Sequence, residues 1–247
     1  MRRSRKRVEE GLWVLGLHHF GRVLNAALHH QKRERQRNMR NFYAPLLPPD
    51  GLVFDVGANV GNFSALFASL GHRVIAIEPN LDCIRHIEIS YPDLPITILN
   101  AVMGPKAGLV TLNVSDDRDD LSSMRDDWIP NTVASRKVPV AMLTLDDLVS
   151  EYGSPAFIKI DVEGFEESVL DGLSVFPKLL SFEFNTNNLA ATFRCLDKDQ
   201  FNGALFNYAM EDPQRFELSS WVKAPILKKS LTEISGYGDI FAKMGTP

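Results

Sequence analysis

The sequence is poor in cysteine and has no long uninterrupted apolar run. Its 247 residues contain two cysteines, Cys83 and Cys195, which lie far apart and outside any Cys-x-x-Cys or Cys/His cluster. This scarcity argues against a disulfide framework and gives no sign of a zinc site. We therefore expect reduced thiols, a cytoplasmic protein and no bound metal.

Charge is distributed unevenly along the chain. Hydrophobic residues make up 45% of the sequence, enough for one substantial core, and the formal net charge is only −4. The first 40 residues, however, hold 11 Lys and Arg against 3 Glu, which leaves 16 basic and 28 acidic residues in the remainder. A basic segment of net charge +8 therefore precedes an acidic body of −12.

The basic segment contains an apolar stretch, residues 12–28, that His18, Arg22 and Asn25 interrupt. These polar residues argue against a membrane span and against a signal peptide. Leucines at near-helical spacing favour an amphipathic helix that packs on the domain or on a second subunit, with an anionic membrane surface as the alternative and no nucleic acid expected. Pro45, Pro48 and Gly51 then mark a linker, so we predict a helical extension over residues 1–45 and one domain over 46–247.

From Leu52 onwards, short apolar runs alternate with longer amphipathic ones, which is typical of βαβ units that form a parallel sheet. The predicted strands are Leu52–Val56, Arg73–Ile77, Ile96–Leu99, Ala156–Ile160 and Leu179–Phe184. The predicted helices are Asn62–Leu70, Leu81–Ile89 and Glu163–Leu170, with a short helix that starts at a Thr144 and Asp147 capping box and ends near Val149.

Two regions depart from this alternation. Residues 109–141 read as an insertion in which strands at Leu109–Val114 and Lys137–Ala141 flank an aspartate-rich segment, either exposed chain or a cover over a site. At the other end, Tyr237–Met244 predicts a last, antiparallel strand, and Phe216–Val222 is a further candidate. The expected fold is thus α/β and Rossmann-like, with a mostly parallel sheet.

A glycine loop is the strongest local motif. Asp55-Val56-Gly57-Ala58-Asn59-Val60-Gly61-Asn62 directly follows a predicted strand and directly precedes a predicted helix. Gly57 and Gly61 allow a tight turn and a close ligand at the mouth of the strand, and Asp55 can accept a hydrogen bond there. The Gly-x-Asn-x-Gly spacing differs from the Gly-x-Gly-x-x-Gly of dinucleotide sites, so a nicotinamide cofactor is disfavoured.

Acidic residues end two further predicted strands. Glu78 lies 23 residues after Asp55, where a carboxylate can accept both ribose hydroxyls of an adenosine cofactor. Asp161 and Glu163 follow the strand that ends at Ile160, where they could bind a methionine ammonium or a metal, or take a proton from an acceptor. The alternative is that both carboxylates cap the next helix.

Together with the segments Asn100-Ala101-Val102-Met103-Gly104 and Leu143-Thr144-Leu145-Asp146-Asp147, these motifs resemble the FkbM family of methyltransferases over residues 51–185. The resemblance implies a class I methyltransferase fold that uses S-adenosylmethionine for O-methylation of sugars or natural products. Ser122 and Ser123, ahead of Val138-Pro139-Val140, match the family's Ser-Ser element. The predicted cofactor-binding set is Asp55, Gly57, Ala58, Asn59, Gly61, Asn62, Glu78, Pro79, Asn100, Ala101 and Asp161.

A hydroxyl acceptor needs a base, and the candidates are Asp161, Glu163 and Glu183, the last at the end of the following strand. His72 lies at the wrong end of its strand, so a carboxylate is preferred. Two alternatives remain at this stage, an NAD-linked oxidoreductase and a non-catalytic subunit that binds S-adenosylmethionine. The sequence does not identify the acceptor.

Overall fold

The computed structural model describes residues 33–115, 122–123, 135–211 and 213–245. Its helices are α1 (33–43), α2 (Asn62–Ser69), α3 (Leu81–Ser90), α4 (Leu145–Tyr152), α5 (Glu166–Leu170), α6 (Leu189–Leu196) and α7 (Ala224–Leu231). Its strands are β1 (Leu52–Val56), β2 (Arg73–Ile77), β3 (Ile96–Leu99), β4 (Ala101–Met103), β5 (Gly108–Ser115), β6 (Ser122–Ser123), β7 (Ser135–Leu143), β8 (Phe157–Ile160), β9 (Leu180–Asn185), β10 (Ala204–Met210) and β11 (Tyr237–Met244).

A seven-stranded sheet forms the centre of the molecule, in the order β10-β11-β9-β8-β1-β2-β3. The strands from β9 to β3 are all parallel, whereas β11 lies antiparallel between β9 and β10. This confirms the predicted fold, a mostly parallel sheet whose last strand along the chain is antiparallel. The strand order reverses between β1 and β8, and open α/β sheets bind ligands outside the carboxyl ends of the strands at such a point.

Both faces of the sheet are covered, which explains the nearly continuous apolar runs of β1, β2 and β8. One face carries the larger core, in which Phe54, Ile158 and Phe182 pack with α4, α5 and α6. The other face carries an aromatic cluster in which Tyr43 contacts Phe67 and Phe157.

Helix α1 ends inside that second core. Met39, Phe42 and Tyr43 are buried, and Tyr43 is fully enclosed. The last turn of α1 therefore packs on the sheet domain, although the predicted domain boundary falls after residue 45. The predicted amphipathic helix around residues 12–28 lies outside the described residues. Every helix that the structure describes is too short or too polar to cross a membrane.

The predicted insertion contributes a second sheet, in the order β4-β7-β5-β6. The long pair β5 and β7 is antiparallel, as expected for a hairpin, and Ser122–Ser123 add a two-residue strand to its edge. The aspartates at 116, 117, 119 and 120 lie outside the described residues, so both interpretations of that segment remain predictions.

One candidate strand and the bounds of two predicted helices differ from the structure. Phe216–Val222 forms no strand apart from one bridge between Val222 and Phe206, because Phe216 and Trp221 partly bury their rings as loop residues against the aromatic core. Helix α5 begins at Glu166 rather than at residue 163, since Glu163 and Gly164 have positive φ angles. Helix α4 begins at the predicted capping box but continues to Tyr152, where Gly153 ends it.

Candidate active site

The glycine loop turns from β1 into α2 against the end of β8. Gly57 has a φ of +81°, and a Cβ atom added there would lie 1.8 Å from the carbonyl oxygen of Asp161. Gly61 has a φ of +80°, and its added Cβ would lie 2.7 Å from Ile87 of α3. Both glycines are therefore required by neighbouring protein atoms, in addition to the ligand contact predicted from the sequence.

Between the two glycines, the loop is fixed by hydrogen bonds. The Ala58 amide donates to the carbonyl of Ile77, and Asn59, with a φ of +50°, accepts the Val60 amide on its Oδ1 atom at 2.6 Å. Helix α2 then begins at Asn62 without a side-chain cap. Its first-turn amides point away from the helix body, an arrangement that suits an anionic group such as the carboxylate of a methionine moiety.

Glu78 follows β2 and is almost fully buried. Its Oε2 atom accepts the Asn59 amide and its Oε1 atom accepts the Asn80 amide, both at 2.8 Å. Burial raises the pKa of Glu78 to about 7, although the two amides act in the opposite direction. Each oxygen retains a second lone pair, so the carboxylate can still accept two ribose hydroxyls.

Asn100 and Pro79 join the ends of β2 and β3. The Asn100 amide nitrogen donates to the carbonyl of Pro79 at 2.9 Å and to that of Glu78 at 3.3 Å. Ala101, the next residue, is buried at the start of β4. The predicted Asn100-Ala101 segment thus lies beside Glu78, where an adenosine moiety would follow its ribose.

Asp55 lies deeper in the sheet than the sequence indicated. It is 1% exposed, and its Oδ2 atom accepts a hydrogen bond of 2.5 Å from Ser64 on α2. Burial raises its pKa, while Lys159 and Ser64 lower it. Asp55 therefore supports the loop from below, and Ser64 is a partner that the sequence analysis did not identify.

Asp161 stands at the carboxyl end of β8 and is one-third exposed, so it reaches the crevice. Its Oδ2 atom lies 2.8 Å from the Nζ atom of Lys159, two residues earlier on the same strand. Lys159 was missed because a lysine inside an apolar strand pattern gives no signal of its own. Lys159 is buried because β8 lies between β1 and β9, and this strand order cannot be read from the local sequence.

Glu163 and Glu166 occupy the turn after Asp161. Glu163 adopts a φ of +52°, and Glu166 accepts the amides of Val162 and Gly164 on its Oε1 atom. The residue directly before α5 is Phe165, whose side chain makes no cap. The alternative interpretation, in which the negative charge of Asp161 and Glu163 favours the start of the helix, stays a prediction.

Glu183 is half-buried in β9 and stands opposite Asp239 of β11. Burial raises the pKa of Glu183 to about 9, and the negative charges of Asp161, Glu163, Glu166 and Asp239 add to the shift. Asp239, which the sequence analysis missed, also has a raised pKa because of burial. Glu183 and Asp239 lie on strands that are distant in sequence, so their proximity does not show in the sequence.

Strand register collects these side chains on one face. Asp55 pairs with Lys159, which pairs with Ser181, and residues in register project from the same side of a sheet. Two residues further along each strand come Gly57, Asp161 and Glu183, with Asp239 beside them. Glu78 ends the next strand at the same edge. The carboxyl edge is therefore lined with carboxylates on both sides of the glycine loop.

The two described histidines lie elsewhere. His72 precedes β2 at the opposite edge of the sheet, where burial lowers its pKa, and His86 lies within α3. Among the described residues, no group of three or more His, Cys, Asp or Glu side chains is arranged to hold a metal ion.

The strand order, the glycine loop at the switch point and the acidic β2 end define a class I methyltransferase. The chain belongs to the FkbM family, since the model of the methyltransferase FkbM domain matches residues 55–208, more than half of the chain. The predicted resemblance is confirmed, and the nicotinamide and non-catalytic alternatives are set aside. The protein is an S-adenosylmethionine-dependent methyltransferase.

Several solved methyltransferases are similar in structure. A precorrin-6y C5,15-methyltransferase from Geobacter metallireducens is 12% identical, with coverage of 85% of this chain and 87% of its own and a TM-score of 0.45. An rRNA methylase from Streptococcus thermophilus is 12% identical over 84% and 95%, with a TM-score of 0.44. A TehB-like methyltransferase from Corynebacterium glutamicum is 11% identical over 91% and 99%, with a TM-score of 0.42. No curated protein matches the chain.

The residues at the carboxyl edge fit the chemistry of this cofactor. S-adenosylmethionine carries a sulfonium and an ammonium, and the edge offers Asp161 and Asp239 as negative charges, with the carboxyl of Glu183 beside them. Its ribose presents two hydroxyl donors, for which Glu78 has free lone pairs. Its carboxylate matches the uncapped start of α2. The cofactor supplies an electrophilic methyl group, and these side chains would supply the charges that orient it.

Proposed function

We propose that the enzyme transfers the methyl group of S-adenosylmethionine to a hydroxyl of a sugar, glycan or natural-product acceptor. The observation that carries the proposal is Glu183, a half-buried carboxyl with a raised pKa of about 9 among other carboxylates at the crevice. An alcohol keeps its proton at neutral pH. The positive charge of the bound cofactor would lower the pKa of Glu183 and leave it ionised, and a carboxylate of this basicity is suited to remove the proton.

The three candidate bases differ in what else they contact. Asp161 shares its Oδ2 atom with the Lys159 ammonium, so a proton taken by that oxygen would displace a buried charge contact. Glu163 lies in the turn before α5 with a positive φ. Glu183, on β9, has a pKa raised to about 9, so it would hold a proton that it has taken from the acceptor. We therefore assign proton removal to Glu183 and the cofactor's cationic end to Asp161.

The charge of the crevice also favours one class of acceptor. The carboxylates at its edge and the net charge of −12 beyond residue 40 repel phosphate groups. A neutral polyol or an amine-bearing sugar avoids this repulsion. These charges support a carbohydrate-like acceptor over a nucleic acid.

A transfer assay tests the proposed function. The full chain is incubated with labelled S-adenosylmethionine and panels of neutral sugars, amino sugars, hydroxylated polyketides and structured RNA, and the methylated atom is identified by NMR. We expect an O-methyl product from a neutral or amine-bearing acceptor. A methyl group on a nitrogen or carbon atom, or methylation of RNA alone, would contradict the proposal.

Two variants separate the assigned roles once an acceptor is found. Glu183→Gln should lower kcat by roughly 100-fold or more with little change in cofactor affinity. Asp161→Asn should mainly raise the KM for S-adenosylmethionine. Glu167→Gln, on the exposed side of α5 where it pairs with Arg194, is the matched control and should alter neither constant. The reverse pattern would make Asp161 the base.

A further inference from the structure

Lys159 is a charged residue in the middle of the sheet. It is the third residue of the four-residue strand β8, is 1% exposed, and has apolar neighbours in Ile158 and Ile160. Removing an ammonium from water costs several kcal/mol even after the protein relaxes. Contacts with oppositely charged or aromatic groups must offset this cost in the folded protein. The groups that make these contacts indicate the role of Lys159.

Lys159 has three carboxylates and one aromatic ring as neighbours. Its Nζ atom lies 2.8 Å from Oδ2 of Asp161 and 3.7 Å from Oδ1 of Asp239, while Asp55 is its register neighbour on β1. The ring of Phe63 on α2 lies against the same ammonium, with its centroid 4.3 Å from Nζ. Burial alone would lower the pKa of Lys159, but the carboxylates outweigh it and raise the pKa, so the cation persists.

Of the two carboxylates in direct contact, Asp161 is the more exposed. Its side chain is 33% exposed, whereas that of Asp239 is 15% exposed. A short carboxylate at a strand end can adopt several rotamers, and the contact with a fixed, buried ammonium selects one of them. Asp239, on β11, holds the same ammonium from the other side, so the position of Asp161 is tied to a strand two places away in the sheet.

We propose that Lys159 is a positioning residue that acts through Asp161, by holding its carboxylate in the orientation that receives the cationic end of S-adenosylmethionine. The inference rests on the role proposed above for Asp161. It goes beyond that role because it assigns a function to a residue that does not reach the crevice. A purely structural Lys159 would instead affect folding without a specific link to the cofactor.

A double-mutant cycle on cofactor affinity distinguishes a positioning role of Lys159 from a purely structural one. Lys159→Met, Asp161→Asn and the double variant are titrated calorimetrically with S-adenosylmethionine and with its demethylated product, and melting temperatures are recorded. If Lys159 acts through Asp161, Lys159→Met raises Kd about tenfold in the parent protein and less than about twofold in the Asp161→Asn background. Lys159→Arg, which keeps the charge, should recover most of the affinity.

Each other outcome overturns the inference in a recognisable way. Equal effects of Lys159→Met in both backgrounds would show that it does not act through Asp161. An unchanged Kd in Asp161→Asn alone would remove Asp161 from the cofactor site, and the proposed function would then need revision as well. If Lys159→Met does not fold, Phe63→Leu loosens the same ammonium. Its loss of affinity should again disappear in the Asp161→Asn background, and persistence there would refute the link.

Discussion

Glu183 and Asp239 are directly opposed in the antiparallel pairing of β9 with β11, with both side chains on the face that carries Lys159. Like charges in opposed cross-strand positions destabilise a sheet. The pKa of each carboxyl is raised, in both cases first by burial, and for Glu183 the negative charge of Asp239 adds to the shift. A methyl donor bound at this edge would bring positive charge and relieve the repulsion.

Loss of the Glu78 carboxylate should weaken the cofactor site. In Glu78→Ala, S-adenosylmethionine should bind more weakly by about 1 to 3 kcal/mol, because charge-assisted hydrogen bonds to the ribose are lost. The melting temperature should also fall, because the Asn59 and Asn80 amides lose their acceptor. Calorimetric titration measures the first effect and thermal melting the second.

Asp82→Asn is the matched control for Glu78. Asp82 is a half-exposed carboxylate on α3 that pairs with Arg85. Its removal should leave cofactor affinity unchanged. Equal affinity of Glu78→Ala and the parent protein would end the ribose assignment.

The strands that carry the predicted cofactor residues, β1, β2 and β3, could be predicted from the sequence, because each is a short apolar run followed by a polar motif. Bounds for β1, β2, β3 and β11 matched the structure. The strand β10 was missed because Asn207 interrupts its apolar pattern, and that side chain is instead satisfied by the carbonyl of Leu218. Lys159 and Asp239 were missed for a related reason, since their charges meet only across strands that are distant in sequence.

Stability should depend on pH through Glu183. Its pKa rises from an ordinary 4.5 to about 9 on folding, so between these values the folded protein holds a proton that the unfolded chain releases. Raising the pH through this window therefore lowers the free energy of unfolding. The melting temperature of Glu183→Gln minus that of the parent protein should accordingly increase from pH 5 to pH 9.

Asp147→Asn provides the control for this dependence. The pKa of Asp147 is lowered by its hydrogen bonds with Thr144, so its contribution is complete above the ordinary carboxyl range and is lost only as the pH falls through it. The difference between this variant and the parent protein should be constant from pH 5 to pH 9. A constant difference for Glu183→Gln as well would contradict the raised pKa.

Removal of two buried hydroxyls near Asp55, those of Ser64 and Tyr43, should change the stability of the protein differently. Ser64→Ala deletes the donor to the Asp55 carboxylate and should destabilise the protein by about 1 to 3 kcal/mol, because a buried acceptor loses its partner. Tyr43→Phe deletes a hydroxyl that has no hydrogen-bond partner among the described residues, so stability should be unchanged or higher. Chemical denaturation measures both, and a large loss in Tyr43→Phe would reveal an unrecognised partner.

Truncation should separate the basic segment from the folded domain. Deletion of residues 1–32 should leave cofactor affinity and melting temperature close to those of the full chain. Deletion of residues 1–45 should lower the melting temperature sharply, because Tyr43 and Phe42 leave the aromatic core. Identical melting temperatures of the two truncated proteins would place the domain boundary at residue 45. A change in solution mass on removing residues 1–32 would assign the basic segment to subunit contacts, and a loss of binding to anionic vesicles would assign it to a membrane surface.

The most direct test of the account is a crystal structure of the full chain with the demethylated cofactor product, S-adenosylhomocysteine. We expect the ribose hydroxyls within hydrogen-bond distance of Glu78, the amino acid moiety between the start of α2 and Asp161, and the sulfur facing the side of the crevice that holds Glu183. A ligand bound away from the β1–β8 switch point, or one whose ribose does not contact Glu78, would contradict the assignment of the acidic edge as the cofactor site.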